Sequence, residues 1–268
     1  DVDGVAPGAA MGVVRLKQNV LAESSIGVIA TAGDPRGRTG SWLVGGDATY
    51  QTSRLRGDKN FLLGVWGIAM GRDDVGSDAN AYGVTLDYPN DLWDVVVKYW
   101  RIGRDFDPSL GFVARPGVHA YALNAEYMPR PRFWNIRQMF FEFRNSLVTD
   151  LEGRWESYRV WTAPVNWTFE SGDRVEVNWT PTGERLTAPF AIAPGVVIPP
   201  GSSHWTRYRL EAGTAEKRRL SGQVTYWFGG FYEGTLHQVI WEAAWNPAPL
   251  VTLELTGEYD AGRLDAGR

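Results

Sequence analysis

Between residues 79 and 102 the chain reads ANAYGVTLDYPNDLWDVVVKYWRI, two stretches with apolar side chains at every second position. That period belongs to β-strands, whose side chains alternate between two faces. Tyr82, Val84, Leu86 and Tyr88 share a face of the first strand, and Trp93, Val95, Val97 and Tyr99 share a face of the second. With Asn90-Asp91 at the centre of a two-residue turn, Tyr88 meets Trp93, Leu86 meets Val95, Val84 meets Val97 and Tyr82 meets Tyr99. Every pair on that face is apolar, and both ends are aromatic. The other face pairs Ala81 with Trp100, Gly83 with Lys98, Thr85 with Val96 and Asp87 with Asp94. An apolar face closed by aromatic ends, backed by a face that tolerates charge, is the pattern of a transmembrane β-hairpin.

The alternation recurs along the chain. It predicts strands near residues 10–17, 24–33, 41–53, 60–71, 79–88, 92–102, 117–128, 133–146, 154–169, 174–181, 203–213, 218–229, 234–246 and 250–259. Trp42, Val44, Gly46, Ala48 and Tyr50 form one row, and Phe61, Leu63, Val65, Gly67 and Ala69 another. Met139, Phe141 and Phe143 stand opposite Gln138, Glu142 and Arg144; Val239, Trp241, Ala243 and Trp245 stand opposite Gln238 and Glu242. A second hairpin, with Ser171-Gly172-Asp173 as its loop, would pair Phe169 with Val175, Trp167 with Val177, Val165 with Trp179, and Glu170 with Arg174.

The links sort by length. Short ones are expected at Asn90-Asp91, 130–132, 171–173, near Ala215-Glu216 and at 246–249; long ones at 34–40, 72–78, 103–116, 147–153, 182–202 and 229–233. Alternating short and long links mark a barrel with tight periplasmic turns and longer external loops. The expected fold is therefore all-β: one antiparallel up-and-down transmembrane-type barrel domain over residues 1–268, with about fourteen strands visible. By this parity the first strand begins, and the last ends, at the external rim, so the chain is expected to be a piece of a larger barrel, truncated at both ends.

Composition agrees. Among 268 residues there are 31 Gly, 15 Pro and 13 Trp, which suits many strands in close backbone contact. With no cysteine, disulfides and cysteine-based zinc sites are excluded. The net charge of −4 is spread along the chain without a basic, aromatic-interleaved stripe, so no nucleic-acid partner is expected. No apolar run reaches the ~18 residues of a spanning helix. The chain opens Asp1-Val2-Asp3, so a leader is expected to have been removed or to lie upstream.

Two loop segments carry a resemblance. Asp105-Phe106-Asp107-Pro108-Ser109-Leu110-Gly111-Phe112-Val113-Ala114-Arg115 is one, and the proline-rich run from Pro189 and Phe190 through Pro194 and Gly195 to Pro199, Pro200 and Gly201 is the other. Together with the turn Phe169 to Arg174 and the runs Leu220 to Gly222 and Gly230 to Gly234, they resemble the bacterial domain-of-unknown-function family numbered 5916. The resemblance implies a C-terminal region like an outer-membrane barrel, an upstream carbohydrate-binding domain of the family-nine type, and no assigned activity. It makes the outer membrane of a Gram-negative bacterium the expected location, with membrane lipid, and carbohydrate, as partners.

Candidate chemistry is sparse. His119, His204 and His237 show no metal spacing. Asp105 and Asp107 could bind calcium with backbone carbonyls, but a turn shaped by Asp107-Pro108 and Gly111 is the favoured reading. Asp87 with Asp94, or Glu176 with Glu211, supplies the two carboxylates a glycosidase requires, but there is no nucleophile elbow and no phosphate-binding glycine loop. The tryptophans suit interface girdles, or sugar platforms. No cofactor is expected. In the barrel reading Asp87, Asp94, Lys98, Gln138, Glu142, Arg144, Gln238 and Glu242 line the interior, and the long loops form the outer mouth. The alternative is a carbohydrate-acting hydrolase or a soluble glycan-binding β-domain.

Overall fold

The computed structural model describes residues 8–193, 195–248 and 250–264. Among them there are seventeen strands and no helix; fifteen strands make one antiparallel sheet whose order follows the chain, apart from one short strand that pairs off the path. The expected all-β, up-and-down antiparallel character is therefore correct. No ladder among the described residues closes the sheet on itself. The chain divides into two compact units, described in turn.

The first unit takes residues 1–90, 95–123 and 148–154. It holds β1 (Gly12–Val20), β2 (Ser24–Ala32), β3 (Trp42–Leu55), β4 (Lys59–Gly71) and β5 (Asn80–Pro89), most of β6 (Trp93–Ile102) and the start of β7 (Val118–Tyr127). From β1 to β5 one row on the face that carries Val65 reads Gln18, Ile26, Ala48, Val65, Val84, each residue paired to the next. The row beside it, on the opposite face, reads Lys17, Gly27, Asp47, Trp66, Gly83. A small apolar core of Met70, Ala79, Ala81 and Phe106, packed by Trp66, Ile68 and Ile102, sits where the long loops leave the sheet. Tryptophan and glycine abundance have one cause here. Trp66 lies over Gly83 directly opposite, and Trp42 over Gly71; a Cβ on either glycine would come within 2.7 Å or 2.6 Å of the indole.

The second unit takes residues 91–94, 124–147 and 155–268. It holds the rest of β7, then β8 (Ile136–Met139), most of β9 (Phe141–Asp150), β10 (Trp155–Phe169), β11 (Arg174–Leu186), β12 (Phe190–Ala193), β13 (Val196–Ile198), β14 (Gly201–Gly213), β15 (Leu220–Phe231), β16 (Gly234–Ala248) and β17 (Val251–Arg263). Here β10, β11, β14, β15, β16 and β17 pair in that order, while β8 lies on β10 and β12-β13 form a separate hairpin.

Several expectations are corrected. The strand expected at 133–146 breaks at Phe140, whose amide donates to the Asn166 carbonyl at 2.8 Å. Met139 is consequently buried against β10, opposite Trp167, and does not continue the exposed row of Phe141 and Phe143. The break follows a connection twisted by left-handed backbone at Trp134 and Asn135. The β10-β11 register is two residues from that expected: Trp167 pairs with Val175 and Val165 with Val177, and a bulge precedes Thr162↔Trp179. Gly172, at φ +88°, supplies the left-handed last position of a three-residue loop, so the loop is 170–172 and the Glu170–Arg174 pairing is lost.

The β5-β6 link spans residues 90–92, one more than expected. Asn90's amide is committed to Asn60, accepting from its N–H at 2.8 Å and donating to its carbonyl at 2.9 Å. The Tyr82 and Tyr99 rings, expected partners, are 6.3 Å apart. Link lengths alternate from β1 to β7, but residues 151–154 and 232–233 are tight where long links were expected. At the first, the Asp150 carboxylate accepts from the Glu152 and Arg154 amides and from the Arg154 guanidinium, and Gly153 adopts φ +82°.

Candidate functional site

Two polar constructions stand out, one in each unit. In the first unit the links 33–41, 72–79 and 103–117 are tied together by arginine. Asp34, its side chain fully buried, accepts from the Arg36 amide at 2.7 Å and from Arg38 Nε at 2.8 Å. Arg72, with 3% of its side chain exposed, gives Nη2 to Asp107 Oδ2 at 2.8 Å and Nη1 to the Asp107 carbonyl at 2.8 Å, and its Nε bonds Asp74. Arg38 adds a longer bond to Asp107 at 3.4 Å. Asp105 accepts from the Asp78 amide at 3.1 Å, and Asp78 holds Arg101 Nη2 at 2.7 Å.

These contacts set the charge states. The Arg72 bond holds the Asp107 carboxyl below the usual range, and Asp74 likewise. For Asp78 the Arg104 amide has the same effect against partial burial, with Arg101 adding to it. Burial alone would raise Asp34, but the bonds from Arg38, Ser109 and the Arg36 amide hold it well below the ordinary carboxylate value.

Of the loop residues singled out by sequence, Asp105 and Asp107 are thus ion-pair and turn-forming groups. Phe106 is a core side chain, and the Gly111 amide bonds the Pro108 carbonyl at 3.2 Å. Phe112 is 89% exposed, and Arg115 is exposed. Among the described residues no group of three or more His, Asp or Glu side chains is placed to hold a metal ion.

The proline-rich loop belongs to the second unit. The long link expected at 182–202 is 187–200, because β11 runs on to Leu186 and β14 starts at Gly201. It contains the β12-β13 hairpin, in which Phe190 pairs with Ile198. Pro189, Phe190, Gly195, Pro199, Pro200 and Gly201 are exposed, and Pro194 lies outside the described residues.

The inward face of the second unit carries a belt that sequence reading did not assemble. Across the ladders Asn166, Glu176, Glu211 and Thr225 stand in one row. All four are buried, and Asn178, two residues beyond Glu176, is completely so. Arg209 donates to Glu176 Oε1 at 3.0 Å and to Asn178 Oδ1 at 3.0 Å, and also pairs with Glu211. Arg174 pairs with Glu176 and gives Nε to Asn166 Oδ1 at 3.1 Å. The row continues through Glu142, which accepts from Asn166 Nδ2 at 2.7 Å and meets Arg144 at 3.2 Å.

Glu176 and Glu211 are therefore direct cross-strand neighbours, but their oxygens are occupied by arginine, asparagine and threonine. That geometry is a strut across the sheet. Asp87 and Asp94 are half-buried and Lys98 is exposed. Glu242 is exposed beside Gln223 and Thr256.

Each histidine makes the same contact. His119 Nδ1 meets the Tyr99 hydroxyl at 2.9 Å, His204 meets Tyr158 at 3.0 Å, and His237 meets Tyr226 at 2.8 Å. In sequence these residues are far apart, and only the strand register reveals the motif. At the opposite strand ends in the second unit, Trp93 packs on Tyr127 with centroids 4.6 Å apart, and Tyr127 on Phe141.

No family model, no curated protein and no solved structure matches the chain.

Proposed function

We propose that this chain is a transmembrane β-barrel domain, or most of one, of a Gram-negative outer membrane, serving surface binding or passage of carbohydrate. What supports the reading is an inverted polarity. In a soluble sheet the apolar face would be the covered one. Here Val14, Leu16, Ile26, Val28, Val44, Leu63 and Val65 in the first unit, and Trp179, Leu210, Val224, Trp241 and Leu253 in the second, are exposed, while Asn178, Glu176 and Glu211 are buried. Contiguous rows of that kind exceed what monomeric soluble domains normally leave uncovered. Lipid would cover them, and the tyrosine–histidine and tryptophan contacts near strand ends suit the two interfaces.

The test is expression of the full-length gene with its own leader, followed by membrane fractionation and gel mobility with and without boiling. Extraction only by detergent, a β-rich spectrum and a heat-dependent mobility shift are expected. A monodisperse protein in detergent-free buffer would overturn the proposal.

A further inference from the structure

Arg144, Arg174 and Arg209 each have a carboxylate partner, whereas two nitrogens of a further arginine on that face have no acceptor. Arg207 stands two residues before Arg209 on the same face of β14. Its Nε and Nη2 atoms are buried and make no hydrogen bond. Thr180, its direct partner on β11, is 2% exposed, and its hydroxyl is also without a partner. On the other side Arg207 faces Gly229, and the β15 side chain that lies over its guanidinium is Trp227.

A cleft of about 350 Å³ opens there, lined by Arg159, Thr180, Thr182, Trp205, Arg207 and Trp227, among others. That volume falls within the range of small-molecule sites. The Arg207 guanidinium lies 5.3 Å from the Trp227 ring centroid, and Arg159 lies 5.6 Å from that of Trp161. Each guanidinium is thus held over an indole face, a contact that uses none of its N–H groups. Asp260 is near enough to act on Arg207 electrostatically, yet it leaves Nε and Nη2 unbonded. Gln238, another lining residue, is already spent on Glu258 at 2.6 Å.

Arg207 is half-buried, and leaving its two buried guanidine nitrogens unbonded is costly unless an acceptor arrives. The natural acceptor for a fork of this shape is a carboxylate, bound through two parallel hydrogen bonds. Trp205 and Trp227 add flat apolar surface beside it. We infer that this cleft binds the carboxylate of a ring-bearing organic anion: Arg207 takes the carboxylate, Thr180 donates a further hydrogen bond, Arg159 adds charge and the tryptophans cover the ring. Carrier rings of two kinds, acidic sugars and aromatic acids, meet this description. The inference deepens the proposed function by naming a ligand class for the inward face, and it rests on that face being open to solutes.

The experiment is calorimetric titration of the intact detergent-solubilised chain with digalacturonate, benzoate and neutral galactobiose. Saturable binding of a carboxylate is expected, and galactobiose should not bind. Tighter digalacturonate binding would assign the ring to sugars, and tighter benzoate binding to aromatic acids. Arg207→Gln should weaken binding roughly tenfold to a hundredfold, as expected for lost bonds to a charged group, and Thr180→Val severalfold. Arg207→Lys keeps the charge without the fork, so it should also bind more weakly, and it serves if the glutamine variant does not fold. Galactobiose binding as tightly as digalacturonate, no carboxylate binding at all, or wild-type affinity in both Arg207 variants would each overturn the inference. Titration does not depend on how the protein partitions between membrane and buffer, so failure here and failure of the membrane reading are distinguishable.

Discussion

The loop knot around Arg72 and the belt around Arg209 use the same chemistry, an arginine shared among carboxylates, with opposite exposure. In the knot the cation is buried and its acids face water: Arg72 is 3% exposed by side chain, against 56% for Asp74 and 67% for Asp107. In the belt the acids are the buried partners, with Glu176 at 3% and Glu211 at 2%, and Arg209 at 15%. The knot joins chain segments that could otherwise move apart. The belt joins strands whose backbones are already hydrogen-bonded. Losing the knot should therefore free loops, whereas losing the belt should strand two buried charges within the sheet.

The largest effect is expected for Arg209→Met. It leaves Glu176 and Glu211 facing each other with only Arg174 to offset them, and breaking a buried ion pair in this way costs about 3–5 kcal/mol. The midpoint of denaturant unfolding should fall accordingly; an unchanged midpoint would mean that the belt contributes no stability. Arg72→Met comes next at roughly 1.5–3 kcal/mol, the usual cost of hydrogen bonds to a charged group, because its freed carboxylates can be solvated. Its effect should be local: proteolysis within residues 103–117 should accelerate while the strands stay protected. Cleavage at the wild-type rate would remove the knot from the account.

Acid should act on the knot in the same sense. Asp107, Asp74 and Asp78 titrate below their ordinary value of 3.8 in the folded protein. A depressed folded value means a contribution fully present above the unfolded value and lost as pH falls through the folded one. Protection of the amides in residues 103–117, taken relative to their intrinsic exchange rates, should therefore fall as pH drops below 3.8, the value these aspartates share when unperturbed. Exchange that ignores this range would contradict the charge assignment. The smallest effect is expected at the pair of Arg130 with Asp91, two bonds of 2.7 Å between exposed side chains. Asp91 lies in the tight link 90–92 and Arg130 in the link 128–135, which is longer than the turn expected at 130–132. Surface pairs contribute little, so Arg130→Ala should unfold at the wild-type midpoint. A clear drop would show that exposure misjudges such pairs here.

These regions also differ in how far sequence revealed them. Period-two alternation located most strands to within a few residues, because one uniformly apolar face repeats that period over long stretches. It failed at Phe140, where Met139 and Phe141 keep the apolar period across a break in the backbone. It failed again at residues 190–198, a hairpin too short to show alternation. The β10-β11 register slipped by two residues, a shift that keeps every side chain on its face and so leaves hydrophobicity unchanged. Only the left-handed position of Gly172 distinguishes the two registers.

The same reasoning divides the candidate residues. Asp105 to Gly111 were visible because turn residues cluster in sequence. Arg72, which organises that loop, was not, since its partner Asp107 is 35 positions away. Glu176 and Glu211 were visible as a possible pair, but their role depended on Arg209 and Asn178, which only the register brings beside them. Arg207 gave no signal in sequence. Its significance lies in the bonds it does not make.

The central claim is that the apolar face of the sheet contacts lipid and the polar face does not. The chain has no cysteine, so single cysteines can be introduced and labelled one at a time. The direct measurement places a fluorophore in turn at Leu63, Val65, Val239 and Trp241 on the outward rows, and at Gln238 and Glu242 on the inward rows, with the intact chain in lipid vesicles. The account predicts quenching by brominated acyl chains at the first four positions and by aqueous iodide at the last two, alternating residue by residue along β16. Aqueous quenching at all six positions, with no response to brominated lipid, would contradict it.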